Sequence, residues 1–140
     1  MNSILAKWLR KGVLVFIDDI LISAQGVSTD SSKIQAIANW LTPQNIKELR
    51  SFLGLVGYYR RFVKDFGIIS RSLFDLLNKG IVFVWTTQTE EAFQTLKKAV
   101  ISAPVLALPN FNKAFEIEID ACDYGVGAVL MKKGHPIAFL

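Results

Sequence analysis

The sequence has few of the features that mark secreted, membrane-spanning or disordered chains. Its 140 residues include one cysteine, Cys122, which excludes an internal disulfide and a cysteine-rich zinc site. Four prolines and 20% charged residues accompany 51% hydrophobic residues, a composition too apolar for intrinsic disorder. No apolar run approaches the ~18 residues that span a bilayer. We therefore expect a folded chain with no membrane partner, in which Cys122 is a small buried residue.

Two short apolar runs enclose a pair of adjacent aspartates near the N-terminus. Residues 13–17 and 20–22 are rich in β-branched and aromatic types, which predicts two strands joined through Asp18 and Asp19. One interpretation is a polar hairpin turn, because aspartate is common in turns. The other is a Mg²⁺ site, because adjacent carboxylates concentrate negative charge on rigid strands. The dipeptide alone leaves both interpretations open.

Helical periodicity dominates the middle of the chain. Leu5, Trp8 and Leu9 predict a short N-terminal helix, and residues 24–29 are typical of a turn. Four further helical segments are indicated by caps and apolar faces: one capped by Asp30, with Ile34, Ile37, Ala38 and Leu41 on one face; one from Asn45 to Arg61; one around Ile69, Leu73, Leu76 and Leu77; and one from Thr87 to Ser102, opened by a capping box of Thr87 with Glu90.

The period changes to two after Phe115. Phe115, Ile117 and Ile119 alternate with Glu116, Glu118 and Asp120, which predicts a half-buried strand with three carboxylates on its other face. Two further strands follow, separated by a turn at residues 132–135. We therefore expect the α+β class: a β-hairpin, a helical middle, and an antiparallel β-meander that is cut off in its third strand.

Several ordered motifs carry a resemblance to one family. They are FIDDILI (16–22), GVSTDSSKI (26–34), ELRSFLGLVGYYRRF (48–62), APVL (103–106) and IDACDYGVGAVL (119–130). Together they resemble reverse transcriptases of gypsy-type LTR retrotransposon polyproteins, followed by the start of the RNase H-like domain. The resemblance divides the chain into a palm remnant (1–29), a helical thumb and connection (30–80) and the N-terminal part of the RNase H-like domain (81–140).

The resemblance also implies functional residues. Asp18 and Asp19 match the polymerase carboxylates of the palm hairpin, and Asp120 matches the first metal-binding carboxylate of the RNase H site, with Mg²⁺ as the expected cofactor. The partners implied are an RNA–DNA template-primer and the rest of the polyprotein.

The segment Tyr58-Tyr59-Arg60-Arg61 offers aromatic and guanidinium groups that suit bases and phosphates, as does the net charge of +4. The alternative is that Tyr59 packs inward while Arg60 and Arg61 are solvated.

The sequence departs from the family pattern in ways that bear on activity. A segment after Ser23 and the remaining catalytic carboxylates of both sites are missing, so we expect an internally deleted, truncated fragment that is inactive alone. To act as an RNA-directed DNA polymerase and as a ribonuclease on RNA–DNA hybrids, the chain would need the absent parts. The alternatives are a non-catalytic nucleic-acid-binding remnant and a pseudogene product without function.

Overall fold

The structure is a computed structural model that describes residues 15–17, 20–23 and 25–140. The helix predicted around Leu5, Trp8 and Leu9, and the aspartate pair at 18 and 19, lie outside the described residues. Within the described part, two three-stranded antiparallel sheets precede and follow four α-helices in the sequence. The expected α+β class is confirmed. None of the helices described is long and apolar enough to cross a membrane.

The first sheet consists of β1 (Val15–Ile17), β2 (Ile20–Ser23) and β3 (Gly26–Thr29), in that order. β1 pairs antiparallel with β2, which confirms the two predicted strands. The turn predicted over residues 24–29 is wrong for residues 26–29, because these form β3 and pair along the whole of β2. Val27 also exchanges two backbone hydrogen bonds with Leu106, at 2.8 and 2.7 Å. Pairing with the adjacent strand β2, together with this one distant bridge to Leu106, thus makes a strand of a segment of turn-like composition.

The helical middle follows directly. Its elements are α1 (Ser31–Ala38), α2 (Ile46–Tyr58), a 3₁₀ helix (Arg60–Phe62), α3 (Phe66–Asp75) and α4 (Thr87–Ile101). Asp30 caps α1, since its carboxylate accepts from the Ser32 backbone N–H at 2.8 Å. Asn45 caps α2 in the same way through the Glu48 N–H, at 2.9 Å. These two predicted helix starts are confirmed.

The start of α4 differs by one residue from the prediction. The N-cap is Thr86, whose hydroxyl accepts from the Thr89 N–H, while the Thr89 hydroxyl accepts from the Thr86 N–H. The predicted capping box of Thr87 with Glu90 is therefore wrong. The Glu90 carboxylate instead accepts from Gln94 at 2.9 Å and from the Trp85 indole at 2.6 Å. Because these bonds favour the charged form, they lower the pKa of Glu90 from its ordinary value.

One apolar core joins all four helices. Phe52 of α2 and Phe93 of α4 lie at its centre, fully buried, with ring centroids 4.6 Å apart. Its other members include Ile37, Leu49, Leu53, Val56, Tyr59, Val63, Leu73, Leu96 and Val100. Leu41 was expected on the buried face of the first helix, but α1 ends at Ala38 and Leu41 is 84% exposed. The core runs across the boundary proposed near residue 80, and the three-part division stays a prediction.

The second sheet consists of β4 (Glu116–Cys122), β5 (Gly125–Lys132) and β6 (His135–Phe139). The strands are antiparallel and adjacent in sequence order, which confirms the predicted meander. Lys133 and Gly134 form the β5–β6 turn with positive φ angles of 49° and 75°. In the register, Asp120 lies opposite Gly127, and Cys122 lies opposite Gly125.

The orientation of this sheet reverses the sequence expectation. Ile117 and Ile119 are 60% and 69% exposed, and every residue of β4 is exposed, so the predicted half-buried strand is wrong. The opposite face, which carries Asp120, turns towards the helices: a Cβ added to Gly127 would collide with the Asp65 carboxylate. Strand periodicity separates two faces, but it does not say which of them meets the rest of the protein.

Candidate nucleic-acid interface and carboxylate positions

The three predicted carboxylates differ in whether the structure describes them. Asp18 and Asp19 lie outside the described residues, while the strands on either side of them pair with Ile17 opposite Ile20. Asp120 lies near the end of β4, on an exposed strand. The structure therefore describes only one of the three carboxylates that the resemblance implies.

Asp120 lines a cavity of about 290 Å³ between the second sheet and the segment that leads into α3. Glu118, on the same face of β4, lines it too, as do Lys64 and Asp65 from the helical part. Asp65 has a left-handed backbone, with φ of 57°, and its carboxylate lies against Gly127 beside Asp120. The cavity therefore mixes three carboxylates with one ammonium group.

The described residues do not fit a complete Mg²⁺ site. Among them, no group of three or more aspartate, glutamate, histidine or cysteine side chains is arranged to hold a metal ion. A two-metal centre needs several carboxylates converging on the ions, and Asp120 alone can supply one.

The predicted Tyr58-to-Arg61 cluster lies at the end of α2 and in the 3₁₀ helix. Tyr58 is 45% exposed, and its ring meets Tyr59 edge-on at 5.2 Å. Tyr59 is fully buried, so the alternative in which it packs inward holds and its ring cannot stack on a base. Arg60 lies over the Phe66 ring at 6.0 Å while remaining exposed, and Arg61 is exposed. Three of the four predicted contact residues are thus accessible.

A basic stripe along α2 escaped the sequence interpretation. Lys47, Arg50, Gly54 and Tyr58 recur at spacings of three and four and are all exposed, opposite the buried Leu49–Phe52–Val56 side of the helix. A Cβ added to Gly54 would meet nothing within 4 Å, so the helix backbone is open there. The same periodicity that located the core would have found this stripe, had the polar positions been followed as well. We call Lys47, Arg50, Gly54, Tyr58, Arg60 and Arg61 the α2 face.

The other groups singled out from the sequence have no part in this surface. Cys122 is exposed at the end of β4, so the expectation of a buried thiol is wrong. The pKa of Asp30 is lowered by the Ser32 backbone N–H and then by the Ser32 hydroxyl, both of which belong to the cap of α1. The two carboxylates whose pKa is lowered, Asp30 and Glu90, thus both lie at the start of a helix.

Comparison with known proteins first gives the class of protein that this chain resembles. Residues 85–140 match the family model of the RNase H-like domain found in reverse transcriptase. The fold is similar to the foamy viral protease-reverse transcriptase solved with an RNA/DNA hybrid, with a TM-score of 0.79 at 25% identity, over 90% of this chain and 18% of that one. A related foamy viral structure with double-stranded DNA gives a TM-score of 0.81, over 91% of this chain and 23% of that one.

Retrotransposon polyproteins are among its sequence relatives. The chain is 38% identical over 122 residues to the Pol polyprotein from transposon 297, and 36% identical over 132 residues to that from transposon gypsy, both of Drosophila melanogaster; each match covers 86% of this chain. It is 50% identical over 95 residues, or 68% of this chain, to the uncharacterized mitochondrial protein AtMg00860 of Arabidopsis thaliana.

The chain spans 11% and 13% of the two polyproteins and 60% of the mitochondrial protein. It is therefore related to the reverse transcriptase and RNase H region of gypsy-type retrotransposon polyproteins, and the predicted resemblance is confirmed.

Proposed function

We propose that the chain is a piece of a retrotransposon reverse transcriptase and RNase H that binds nucleic acid through the α2 face and is inactive alone. The observation that carries the proposal is the exposed stripe of cations and one aromatic ring along α2, continued by Arg60 and Arg61. Guanidinium and ammonium groups bind phosphates, and an exposed tyrosine ring can stack on a base or sugar. The foamy viral proteins of similar fold were solved with double-stranded DNA and with an RNA/DNA hybrid.

The open backbone at Gly54 supports the binding of nucleic acid along this side of α2. Because no side chain projects there, a sugar-phosphate backbone can approach the helix between Arg50 and Tyr58. The buried side of α2 is anchored through Phe52 and Leu49, so the stripe is presented on a rigid element. A rigid surface loses little conformational entropy on binding. We take an RNA–DNA template-primer as the ligand class and the remaining polyprotein as the natural partner.

The catalytic assignments are part of the same proposal. Asp18 and Asp19 stand for the polymerase carboxylates and Asp120 for the first RNase H carboxylate, each by its place in a family motif. In the family these groups bind divalent metal, expected here to be Mg²⁺. Because one carboxylate is too few to hold two ions, Asp120 is expected to bind metal weakly without the missing ligands. Catalysis thus requires parts of the polyprotein beyond this chain.

Salt-titrated binding tests the α2 face. Phosphate contacts by Lys47, Arg50, Arg60 and Arg61 predict that log affinity for a labelled RNA–DNA hybrid falls with log salt at a slope of about −3.6, or about 150-fold between 50 and 200 mM. Replacing Arg50 and Arg61 by alanine should halve the slope, leaving a loss of about 12-fold over the same range. Fluorescence anisotropy measures both quantities.

A matched pair of substitutions outside α2 provides the control. Lys79 and Lys113 are exposed, and replacing both by alanine changes the net charge by the same amount. The slope of this control should stay close to that of the unmodified chain. An equal fall of the slope in both double variants would show that binding depends on overall charge, and it would contradict binding through the α2 face. Absence of any salt-sensitive binding would favour a product without function.

Activity assays test the second half of the proposal. Primer extension and hybrid cleavage with Mg²⁺ should give no product above background with the purified chain. Template-dependent synthesis that disappears in Asp18→Asn and Asp19→Asn variants would overturn the claim of inactivity. Hybrid cleavage that disappears in Asp120→Asn would do the same for the RNase H half.

A further inference from the structure

The turn between β5 and β6 brings three nitrogen-bearing side chains together. Lys132 lies directly opposite His135 in the β5–β6 register, so these two side chains project to the same face of the sheet. Lys133 follows at the exposed tip of the turn, with a φ of 49°. The sequence pattern identified these residues only as a turn. We call Lys132, Lys133 and His135 the basic turn.

The basic turn lines a cavity of about 370 Å³. The other described residues that line it are one amide and three apolar side chains: Gln25, Val105, Ala107 and Leu108. None of these described lining residues carries a carboxylate. Within the part of the chain that the structure describes, the side chains of the basic turn also form no hydrogen bond or ion pair. The cavity therefore combines uncompensated hydrogen-bond donors with an apolar wall.

Backbone hydrogen bonds fix the apolar wall, residues 105–108, against both sheets. The Ala107 N–H donates to the Pro136 carbonyl oxygen of β6 at 2.7 Å. Leu106, which is buried, exchanges its two backbone hydrogen bonds with Val27 of β3. The wall and the basic turn thus keep a defined separation before any ligand arrives. A preformed cavity of this kind loses little conformational entropy on binding.

We infer that this cavity binds the phosphate group of a nucleotide, with the basic turn around the phosphate and the apolar wall against the sugar or base. Ammonium groups and an imidazole N–H donate charge-assisted hydrogen bonds to phosphate oxygens. A phosphate offers three oxygens to these three donor groups, whereas a carboxylate offers two. The inference goes beyond the α2 face and does not depend on it, since none of the residues of that face lines the cavity.

Burial and size support the inference. Lys132 is half-buried, and partial removal from water strengthens the attraction between an ammonium group and an anion. The cavity volume of about 370 Å³ falls within the range of about 300–1,000 Å³ that is usual for small-ligand sites. An inorganic phosphate ion would leave the apolar wall uncovered, whereas a nucleotide would cover it.

NMR on the single histidine of the chain tests the site directly. Because His135 is the only histidine, its imidazole resonances are observed without overlap from another ring. Titration with AMP at constant pH and ionic strength should shift these resonances saturably. Inorganic phosphate should bind at least ~3-fold more weakly than AMP, because it makes no apolar contact. Adenosine, which lacks the phosphate, should produce little shift at the same concentrations.

An oligonucleotide with and without a 5′-phosphate distinguishes the two sources of the phosphate. Tighter binding of the phosphorylated strand than of AMP would assign the site to the end of a strand, and weaker binding would assign it to a free nucleotide. Either result supports the cavity. The absence of a saturable shift with AMP, or an affinity for AMP equal to that for adenosine or for inorganic phosphate, would overturn the inference.

A charge-removing double variant locates the binding in the basic turn. Lys132→Gln combined with Lys133→Asn removes both ammonium groups, and asparagine tolerates the positive φ at the tip of the turn. This variant should weaken AMP binding at least ~10-fold, because hydrogen bonds to charged groups are stronger than neutral ones. Lys79→Gln combined with Lys98→Gln is the matched control, since both lysines are exposed in the helical part and the charge lost is the same.

The outcomes for the variants are separate from those for the α2 face. Unchanged affinity in the folded Lys132→Gln, Lys133→Asn variant, or an equal fall in the Lys79→Gln, Lys98→Gln control, would overturn the site. Circular dichroism verifies folding; should the double variant unfold, Lys133→Asn alone carries the test, with an expected loss of ~3-fold. The titration uses no RNA–DNA hybrid, so its failure would leave salt-sensitive binding through α2 unaffected.

Discussion

Phe93 connects the RNase H-like segment to the rest of the chain, and its removal should destabilise the whole fold. Its side chain is fully buried, with the Phe52 ring 4.6 Å away and the Trp85 ring 5.8 Å away in an edge-on contact. Truncation of a buried phenylalanine to alanine costs about 3–5 kcal/mol, and two lost aromatic contacts put Phe93→Ala in the upper part of that range. Since small domains are stable by only about 5–15 kcal/mol, the loss should be plain in urea denaturation followed by circular dichroism.

Two further substitutions, one at an exposed phenylalanine and one milder change at Phe93, serve as controls for Phe93→Ala. Phe111 is 70% exposed, so Phe111→Ala should cost less than about 1 kcal/mol. Phe93→Leu keeps most of the volume but loses both ring contacts, so it should cost about 1–3 kcal/mol, less than Phe93→Ala, and it supplies a folded variant should the alanine variant unfold completely. A cost for Phe93→Ala no larger than that for Phe111→Ala would refute the shared core. In that case α4 would not pack on α2 as described.

Three further predictions follow from local geometry. Thr86→Ala removes the cap of α4 and should lower the free energy of unfolding by about 1 kcal/mol, whereas Thr86→Ser should retain most of it in the same urea assay. Gly26→Ala should lower the melting temperature and expose β3 to hydrogen exchange, because φ is 140° and an added Cβ would collide with the Leu106 carbonyl; unchanged exchange would contradict the bridge. The hydrogen bonds that lower the pKa of Glu90, first of all the one from Gln94, stabilise the fold while the carboxylate is charged, above the ordinary glutamate pKa. This stabilisation is lost as the pH falls through the pKa that Glu90 has in the folded chain. The stability difference between the unmodified chain and Glu90→Gln should therefore shrink below about pH 4, and a pH-independent difference would contradict this.

The helical core could be predicted from the sequence with considerable success. Leu49, Phe52, Leu53, Val56 and Val63 were all expected inside, and all are buried. Their spacing repeats the helical period over several turns, so one face of the helix carries nearly all the apolar area. The prediction for Leu41 is wrong because α1 ends at Ala38 with Asn39 as its C-cap, and beyond that point the helical period no longer governs the direction of a side chain.

The candidate site was predicted in part. Tyr58, Arg60 and Arg61 came from an aromatic-basic motif and are accessible, whereas Tyr59 of the same motif is buried. A motif names residue types, but exposure depends on which side of the helix each position occupies. Lys47 and Arg50 complete the surface because they share the side of Tyr58.

The sequence by itself determined the resemblance to the reverse transcriptase and RNase H region, most of the helices with their buried faces, and the order of the three C-terminal strands. These properties depend on local caps, on short periods and on motifs in a fixed order, which need no knowledge of distant contacts. The tertiary structure decided that β3 is a strand, because it pairs along the whole of β2 and forms a bridge to Leu106 far along the chain. It also decided which face of the β4–β5–β6 sheet meets the helices. The close approach of α3 to Gly125 and Gly127 set that choice, and strand periodicity is the same for either orientation.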